Sequence, residues 1–497
     1  MMFFFLLACS GEPPPVDTTG EDTDTTGEDT GSAIDPQYAD GITLLSLDTE
    51  THADFGYQIA TYGVTKDYAV SITTPQQDGT PRFHILSPAA STEARPVLVI
   101  MHGGAMDVDT KIPIGEKGRC TSAHGASFGE DYAANHQTGQ LAARLGWVVI
   151  IPENSFCDAW VGMGGEDPYD TRHGGFALTT AAINYLRDGQ DAVSSGDDLV
   201  LMGHSAGGRG ATFFTVRSPA VSALIFDSGT SDVVRYYYED GYTRNELRYL
   251  QDCLDHNLGG PPYDDKSTQA PSEFWPGYLD LGLVQALEGE RLSVPVFHLH
   301  NSQDGTSPPI QHEDVPELLA AREAADGTPW FTFDANHSIP GHPQLPKSWS
   351  AGYSALQFAQ GAQVAILEAE SGKGDVGELV VENVMLNNAG VSASEAGTLV
   401  SIDLPAEATG SVSVVPVLFT DEAASGTLAT VTLTDGISTT SVLLSAEVMP
   451  QAGDTIAVIA RYIEDARLTL KSTGALTVTV ELTGAGTVAA DAFLIDW

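Results

Sequence analysis

One hexapeptide constrains the fold of this chain more than any other stretch, Gly203-His204-Ser205-Ala206-Gly207-Gly208. A largely apolar run typical of a buried strand precedes it, and residues 209–216, which follow it, can form a helix. A sharp turn from strand to helix holds the residue at the bend, Ser205, in a strained backbone conformation. Glycine is needed at positions 203 and 207 because a side chain there would clash where strand and helix approach. A second Gly-x-Ser-x-Gly sequence, at residues 125–129, has no apolar strand before it, so the context selects Ser205.

A serine exposed at such a bend is the arrangement called a nucleophile elbow. Serine is a poor nucleophile until a base takes its proton, and a third group has to orient the base. In α/β-hydrolases these groups follow in the order serine, acid, histidine. The next long apolar strand leads into Asp304, which is therefore the candidate acid. The loop after the last strand contains His337 and His342, and His337 is the predicted base because it lies nearer the strand end.

Acyl transfer also needs backbone N–H groups that already point at the developing oxyanion. One is expected from Ala206, directly after the nucleophile. Another is expected from the loop after the central strand, where Gly103 and Gly104 let the chain pass close to a substrate. Trp160 and Phe176 are candidates to line an acyl pocket, although aromatic residues of this kind more often belong to a core.

The charge of the chain disfavours several classes of partner. Its 497 residues include 22 Lys and Arg against 67 Asp and Glu, which gives a net charge of −45. Such a surface disfavours binding to nucleic acid or to anionic lipid headgroups, and it is typical of an acidic exported protein. The length predicts two or more domains.

The amino terminus predicts export. Leu6-Leu7-Ala8-Cys9 ends a short apolar stretch and resembles a bacterial lipobox, although no Lys or Arg precedes it. We expect residues 1–9 to be a signal peptide ending at Cys9, whose lipid anchors the protein in the bacterial cell envelope. The alternatives are a plain signal peptide with secretion and a short buried segment. Ser10 after the cysteine favours the outer membrane. Residues 10–40, rich in Thr, Gly, Pro and acidic groups, are predicted to form a disordered tether.

The remaining chain divides into two patterns. Residues 41–365 alternate strand and helix patterns, which predicts a mainly parallel sheet with helices on both faces. Residues 229–293 interrupt this alternation and are predicted to form a lid-like insertion, and a closing helix is expected from about Trp349 to Ala365. In residues 366–497 helical patterns are lost, and short Val, Thr and Leu runs alternate with turns. This second pattern predicts a smaller all-β sandwich domain.

Cysteines and strand histidines leave alternatives open. If Cys9 carries lipid, three cysteines remain, and we favour a disulfide between Cys120 and Cys157, which both follow core strands on the same side of the sheet.

His298 and His300 alternate on one strand near the candidate acid, so a metal site there is one hypothesis. Histidines satisfied within the core are more typical of such a position.

Four segments together resemble the secreted esterases grouped with polyhydroxybutyrate depolymerases, feruloyl esterases and acetyl xylan esterases. They are residues 101–104, 203–208, 294–304 and 336–341. The resemblance covers about residues 95–345. It implies the α/β-hydrolase fold, a Ser205–His337–Asp304 triad without a catalytic cofactor, and an ester substrate such as an acylated polysaccharide or an aliphatic polyester. Ile339 stands where that family usually has an aromatic residue. A serine peptidase on the same fold, or a non-catalytic surface binding protein with a degenerate hydrolase fold, is the alternative.

The carboxyl-terminal region resembles a second family. Residues 367–372 are similar to the opening, and residues 491–496 to the closing strand, of galactose-binding-like carbohydrate modules. The resemblance implies a structural calcium held by Glu368, Glu370 and Asp491, and hard oxygen ligands suit calcium. Few aromatic residues follow Gly372, so a spacer or stabilising role for this region is as strong a hypothesis as sugar binding.

Overall fold

The structure of the protein is a computed structural model. It describes residues 42–48, 56–64, 82–88, 94–103, 133, 135–152, 174–187, 195–238, 260–305, 307–335, 345, 348–376, 378–380, 390–420, 425–451 and 454–497. Cys9, Cys120 and Cys157 lie outside the described residues, and so do the predicted signal peptide and tether. The lipid anchor and the disulfide therefore stay predictions.

Eleven strands of the described chain precede residue 335. They are β1 (Ile42–Asp48), β2 (Tyr57–Val64), β3 (Arg82–Pro88), β4 (Arg95–Met101), β5 (Val148–Pro152), β6 (Ser195–His204), β7 (Val221–Asp227), β8 (Tyr263–Asp265), β9 (Ala270–Pro271), β10 (Val296–His300) and β11 (Trp330–Asp334). Nine of them form one sheet in the order β1-β2-β3-β5-β4-β6-β7-β10-β11, and β8 pairs with β9. The strands from β5 to β11 in this order run parallel, and β1, β2 and β3 pair antiparallel. The sheet is mixed and mainly parallel, as predicted.

Helices cover both faces of this sheet. They are α1 (Gln137–Arg144), α2 (Gly174–Arg187), α3 (Ala206–Arg217), α4 (Val233–Tyr238), α5 (Trp275–Leu281), α6 (Leu283–Glu288), α7 (Val315–Asp326) and α8 (Trp349–Ala359). Successive residues of β4 point to opposite faces. Leu98 accordingly belongs to one buried core with Leu141 of α1, and Val99 to the other with Phe214 of α3. The apolar run of β4 is continuous because both of its faces are buried.

The predicted insertion contains α4, the β8–β9 hairpin, α5 and α6. An aromatic stack ties α4, the hairpin and α5 together, with Tyr263 stacked on Tyr238 at 5.5 Å and on Trp275 at 5.4 Å between ring centroids. Tyr278 and Leu283 are completely buried in the core that α3 shares. The role of this segment as a lid stays a prediction.

The carboxyl-terminal strands form two antiparallel sheets. The strands are β12 (Val364–Glu368), β13 (Glu378–Val380), β14 (Gly390–Ala393), β15 (Gly397–Asp403), β16 (Gly410–Thr420), β17 (Thr427–Thr434), β18 (Thr439–Ser445), β19 (Leu468–Ser472), β20 (Thr477–Leu482) and β21 (Val488–Asp496). One sheet has the order β13-β14-β21-β16-β19, with β12 also paired to β21, and the other has the order β15-β20-β17-β18.

Two expectations about this part of the chain need correction. The helix expected to reach Ala365 ends at Ala359, because Gly361 adopts a φ of 89° and the chain enters β12 at Val364. The region expected to contain only strands also contains a helix, α9 (Ile456–Ala466).

The helix α9 packs beside the nine-stranded sheet region. The ring of Tyr462 on α9 meets that of Trp349 on α8 edge to face, with 6.4 Å between centroids. Both residues belong to one continuous buried core that also includes Leu141 and Phe493. Among the helices of the described chain, we find none with the length and apolar character needed to cross a bilayer.

Candidate active site

Ser205 occupies the bend between β6 and α3. Its φ of 53° and ψ of −122° place it in a region that residues other than glycine rarely adopt. The Ser205 N–H donates to the carbonyl oxygen of Asp227 at 3.0 Å, and the Ser205 carbonyl accepts from the N–H of Gly208 at 3.0 Å. The strand–turn–helix geometry is therefore the one that the hexapeptide predicts.

Two glycines make this bend possible by close approach. A Cβ atom on Gly203 would lie 2.7 Å from the Cα of Gly208, and one on Gly207 would overlap the carbonyl oxygen of Met101. Real Cβ atoms do not approach backbone this closely, so neither position admits a side chain without a shift of the elbow.

Gly103, just after β4, lies against the nucleophile. A Cβ atom on Gly103 would be only 3.0 Å from the Cβ of Ser205. The buried His102 donates from Nδ1 to the carbonyl oxygen of Gly103 at 2.8 Å, and burial lowers the pKa of His102 to about 4, so this ring is neutral. Ala206 is the first residue of α3, and its N–H has no intrahelical acceptor. Gly104, the other predicted donor, lies outside the described residues.

Asp304 lies at the same edge of the sheet. It follows β10, whose Leu299 is in register with Asp227, the last residue of β7. The Asp304 side chain is buried, and its Oδ1 accepts from the N–H of Ser307 at 2.9 Å. The backbone N–H of Asp304 donates to the carbonyl oxygen of Asn301 at 2.9 Å, which closes a tight turn after the strand.

The two candidate bases lie outside the described residues, but both ends of their loop are placed. At the end of β11, the N–H of Ala335 donates to the carbonyl oxygen of His300 at 2.7 Å. Where the chain returns, the N–H of Leu345 donates to Oδ2 of Asp227 at 3.2 Å. The segment that contains His337 and His342 thus begins beside β10 and ends beside the elbow.

Sequence reasoning missed one buried pair next to the nucleophile. Nδ1 of His204 and Oδ2 of Asp227 are 2.7 Å apart, and both side chains are almost completely buried. Asp227 therefore holds His204 and Leu345 through its side chain and Ser205 through its backbone. The available signal was an aspartate that ends the strand after the elbow strand, which places it in register with His204.

Of the two β10 histidines, His298 is satisfied by hydrogen bonds, as the core alternative expects, whereas Nδ1 of His300 is buried without a hydrogen-bond partner among the described residues. Nδ1 of His298 is 2.9 Å from Oγ1 of Thr332, and its Nε2 is 3.0 Å from Nδ1 of His312. Burial, and after it the nearby rings of His312 and His300, lowers the pKa of His298 well below its ordinary value. Within the described part of the chain, no group of three or more His, Cys, Asp or Glu side chains is arranged to hold a metal ion.

The remaining predicted site residues are only partly placed. Trp160 lies outside the described residues, and the side chains of Phe176 on α2 and Glu370 after β12 are not described. Glu368 pairs with Ala492, and the buried Asp491 is the extra residue at a bulge between β21 and β16. The two residues are thus neighbours in the sheet, and the calcium stays a prediction.

Comparison with protein-family models finds no match, and no curated protein matches the chain. Among solved structures, it is similar to an S-formylglutathione hydrolase from Agrobacterium tumefaciens, at 14% identity and a TM-score of 0.42, over 64% of this chain and 99% of that one. An acetyl xylan esterase from Paenibacillus sp. R4 has 14% identity and a TM-score of 0.40, over 64% of this chain and 88% of the esterase. A puromycin-hydrolyzing peptidase from Mycobacterium tuberculosis has 15% identity and a TM-score of 0.36, over 62% of this chain and 46% of the peptidase, so this chain spans less than half of that protein. Because proteins this distant differ in activity even where folds agree, the function has to be argued from the site.

Proposed function

We propose that the protein is a serine hydrolase with the α/β-hydrolase fold that cleaves carboxylic esters. The observation that carries the proposal is the strained backbone of Ser205 at the bend between β6 and α3, with Gly103 packed directly against it. A non-glycine residue in this conformation costs about 1–3 kcal/mol, and such strain concentrates at functional sites. An ordinary serine turn gives no reason for this cost.

The proposed reaction runs through an acyl-enzyme. Ser205 Oγ attacks the ester carbonyl carbon while His337 takes the hydroxyl proton, and Asp304 orients and stabilises the imidazolium that forms. The oxyanion is stabilised by the N–H groups of Ala206 and of the Gly103–Gly104 loop. The alcohol leaves with the proton from His337, and water then releases the acid by the same steps in reverse order.

The wider setting is proposed from the sequence. We expect an acylated polysaccharide or an aliphatic polyester as substrate, a catalytic domain at residues 41–365 and a carbohydrate-module-like sandwich at residues 366–497. The lipid on Cys9 would hold the enzyme at the bacterial cell envelope, most simply the outer membrane. A calcium ion on Glu368, Glu370 and Asp491 would stabilise the second domain without taking part in catalysis.

The first test is labelling with a fluorophosphonate probe, followed by turnover of p-nitrophenyl esters and peptide anilides. We expect the folded protein to be labelled, Ser205→Ala to remain unlabelled, and esters to be cleaved faster than anilides. Preferred cleavage of anilides would make the protein a peptidase. Absence of labelling in the folded wild-type protein would leave a binding protein.

A paired substitution identifies the base. His337→Ala should lower kcat by about three or more orders of magnitude, as loss of a triad member does. His342→Ala should change kcat by less than about tenfold, because a histidine outside the proton path contributes only to loop packing. The reverse result would exchange the roles of the two histidines.

A further inference from the structure

A chain of hydrogen bonds runs through the buried interior beside the candidate site. Oγ1 of Thr332 is 2.9 Å from Nδ1 of His298, and Nε2 of His298 is 3.0 Å from Nδ1 of His312. Nε2 of His312 is in turn 3.1 Å from Oγ of Ser307. The Ser307 hydroxyl finally donates to the carbonyl oxygen of Gly229 at 2.7 Å.

The last bond fixes the direction of every other one. A carbonyl oxygen can only accept, so the single hydroxyl hydrogen of Ser307 is donated to Gly229. The Ser307 oxygen must therefore accept from Nε2–H of His312. In a neutral His312, Nδ1 then accepts from Nε2–H of His298. His298 likewise accepts at Nδ1 from the hydroxyl of Thr332. With both rings neutral, both are Nε2–H tautomers, and all four bonds point the same way.

The direction of these hydrogen bonds determines what they can do. Because the series ends at a carbonyl oxygen, it cannot pass a proton onward and does not act as a proton relay. Its two histidines are hydrogen-bonded to each other, and hydrogen bonds aligned in one direction strengthen one another in a dry interior. His298, His312 and Ser307 are all nearly or completely buried, which makes the arrangement rigid.

The chain ends between the acid and the nucleophile. The Ser307 hydroxyl accepts a hydrogen bond from Nε2–H of His312 and donates one to the carbonyl oxygen of Gly229. The backbone N–H of Ser307 donates to Oδ1 of Asp304 at 2.9 Å. Gly229 in turn lies against the elbow, since a Cβ on it would be 3.0 Å from the carbonyl oxygen of Ser205. Ser307 therefore connects the acid loop to the wall behind the nucleophile.

We infer that His298 and His312 are positioning residues, which act through Ser307 to hold Asp304 at a fixed distance from Ser205. This inference rests on the proposed function, in which Asp304 orients the catalytic base. A displacement of about 1 Å in such a group can lower the rate by on the order of a hundredfold, although the residue that caused it never touches the substrate.

The test compares His312→Phe, Ser307→Ala and the double variant in turnover of a p-nitrophenyl ester. Each single variant should lower kcat by about ten- to a hundredfold with KM nearly unchanged. The double variant should be no slower than the slower single variant, because both break the same connection. His312→Gln, whose amide nitrogen can replace Nε2 as the donor to Ser307, should recover most of kcat.

His300→Phe is the matched control. The His300 ring stacks on His298 at 5.1 Å and on His312 at 5.2 Å between centroids, but the bonds of the chain do not pass through it. This variant should keep kcat within about threefold. Additive losses in the double variant, no rescue by glutamine, or an equal loss in His300→Phe would each overturn the inference. If His312→Phe fails to fold, the contrast between Ser307→Ala and His300→Phe decides.

A measurement without substrate separates this inference from the proposed function. Nitrogen-15 NMR of the imidazole rings should show Nε2–H tautomers for His298 and His312 whether or not the protein is a hydrolase. Absence of fluorophosphonate labelling in the wild-type protein would contradict the proposed function. A labelled, active protein whose His312→Phe variant keeps full kcat would contradict the positioning role alone.

Discussion

The strain at Ser205 has to be held by its neighbours. A conformation that costs about 1–3 kcal/mol relaxes unless the surroundings oppose it. Here the N–H of Ser205 is held by the carbonyl oxygen of Asp227, and the carboxylate of the same residue holds His204 and Leu345. Asp227 thus fixes the residue before the nucleophile, the nucleophile itself and the end of the loop that contains the candidate bases.

This arrangement makes Asp227→Asn informative. The substitution keeps the size of the side chain but removes the charge that pairs with His204 in a buried site. We expect both a lower Tm and a rate of fluorophosphonate labelling at Ser205 that falls about tenfold or more, because loosening the elbow misplaces the nucleophile. Labelling rates and thermal melts of the purified variant measure the two effects.

Asp280→Asn is the matched control for this prediction. Asp280 is also completely buried, but it pairs with Arg217 at the far end of α3 and with Arg291. The Asp280→Asn substitution should lower Tm by a similar amount, while the rate of fluorophosphonate labelling stays within about threefold of the wild-type rate. Equal slowing of labelling in both variants would mean that Asp227 acts only through general stability.

Part of this site could be read from sequence because strand ends dictate it. Ser205 follows its apolar strand directly, Gly103 and Asp304 lie within four residues of the ends of theirs, and the carboxyl ends of parallel strands meet at one edge. The hydrogen bonds from Thr332 to Gly229 could not be read in this way, and for the His204–Asp227 pair the aspartate at a strand end was a weak signal. They depend on which strands are neighbours and in which register, and those contacts join residues far apart in the sequence.

At the scale of elements, continuous apolar runs predicted the central strands well. The helix α9 was missed although Ile456, Ile459, Ala460 and Ile463 are buried at the spacing of one helical face. The helical period was not recognised because the surrounding sequence has strand patterns and a segment of eleven residues shows the period only weakly. The end of α8 was placed too late because the apolar residues of β12 extend the same composition past Gly361.

The first turn of α1 predicts a weakness in acid. The N-cap residue His136 accepts from the N–H of Gly139 at its Nδ1, 3.1 Å away, and only a neutral ring can do this. Burial, with a smaller contribution from His204, lowers the pKa of His136 to about 3. The unfolded chain takes up a proton near pH 6.5, so stability is full above that pH and falls as the pH decreases towards 3.

His136→Asn tests this dependence. Asparagine is a good N-cap and does not titrate, so it keeps the bond to Gly139 without the proton uptake. Below pH 6.5 the free energy of unfolding of the wild type should decline relative to the variant by up to about 1.4 kcal/mol per pH unit. Urea unfolding at pH 7, 6, 5 and 4 measures the difference. Parallel curves would show that His136 does not take part in acid unfolding.

At the scale of the whole molecule, the two sequence patterns share one interior. Apolar residues of α1 and α8, which lie on one face of the nine-stranded sheet, continue without interruption into those of α9, β16 and β21. The strand β12 follows α8 after a short turn and pairs with β21, so the end of one region is a strand of the other. A core shared in this way couples the unfolding of both regions.

Trp349→Ala should therefore unfold the protein in a single transition at lower temperature. The Trp349 side chain is 6% exposed and contacts Tyr462 across the shared core, and loss of a buried tryptophan typically costs about 3–5 kcal/mol. Scanning calorimetry should show one peak for the wild type and one, shifted down, for the variant. Trp330→Ala, which removes a half-buried tryptophan from the edge strand β11, should shift the peak much less. Two peaks in Trp349→Ala, with the upper one at the wild-type temperature, would show instead that the regions unfold independently and that their shared interior does not couple them.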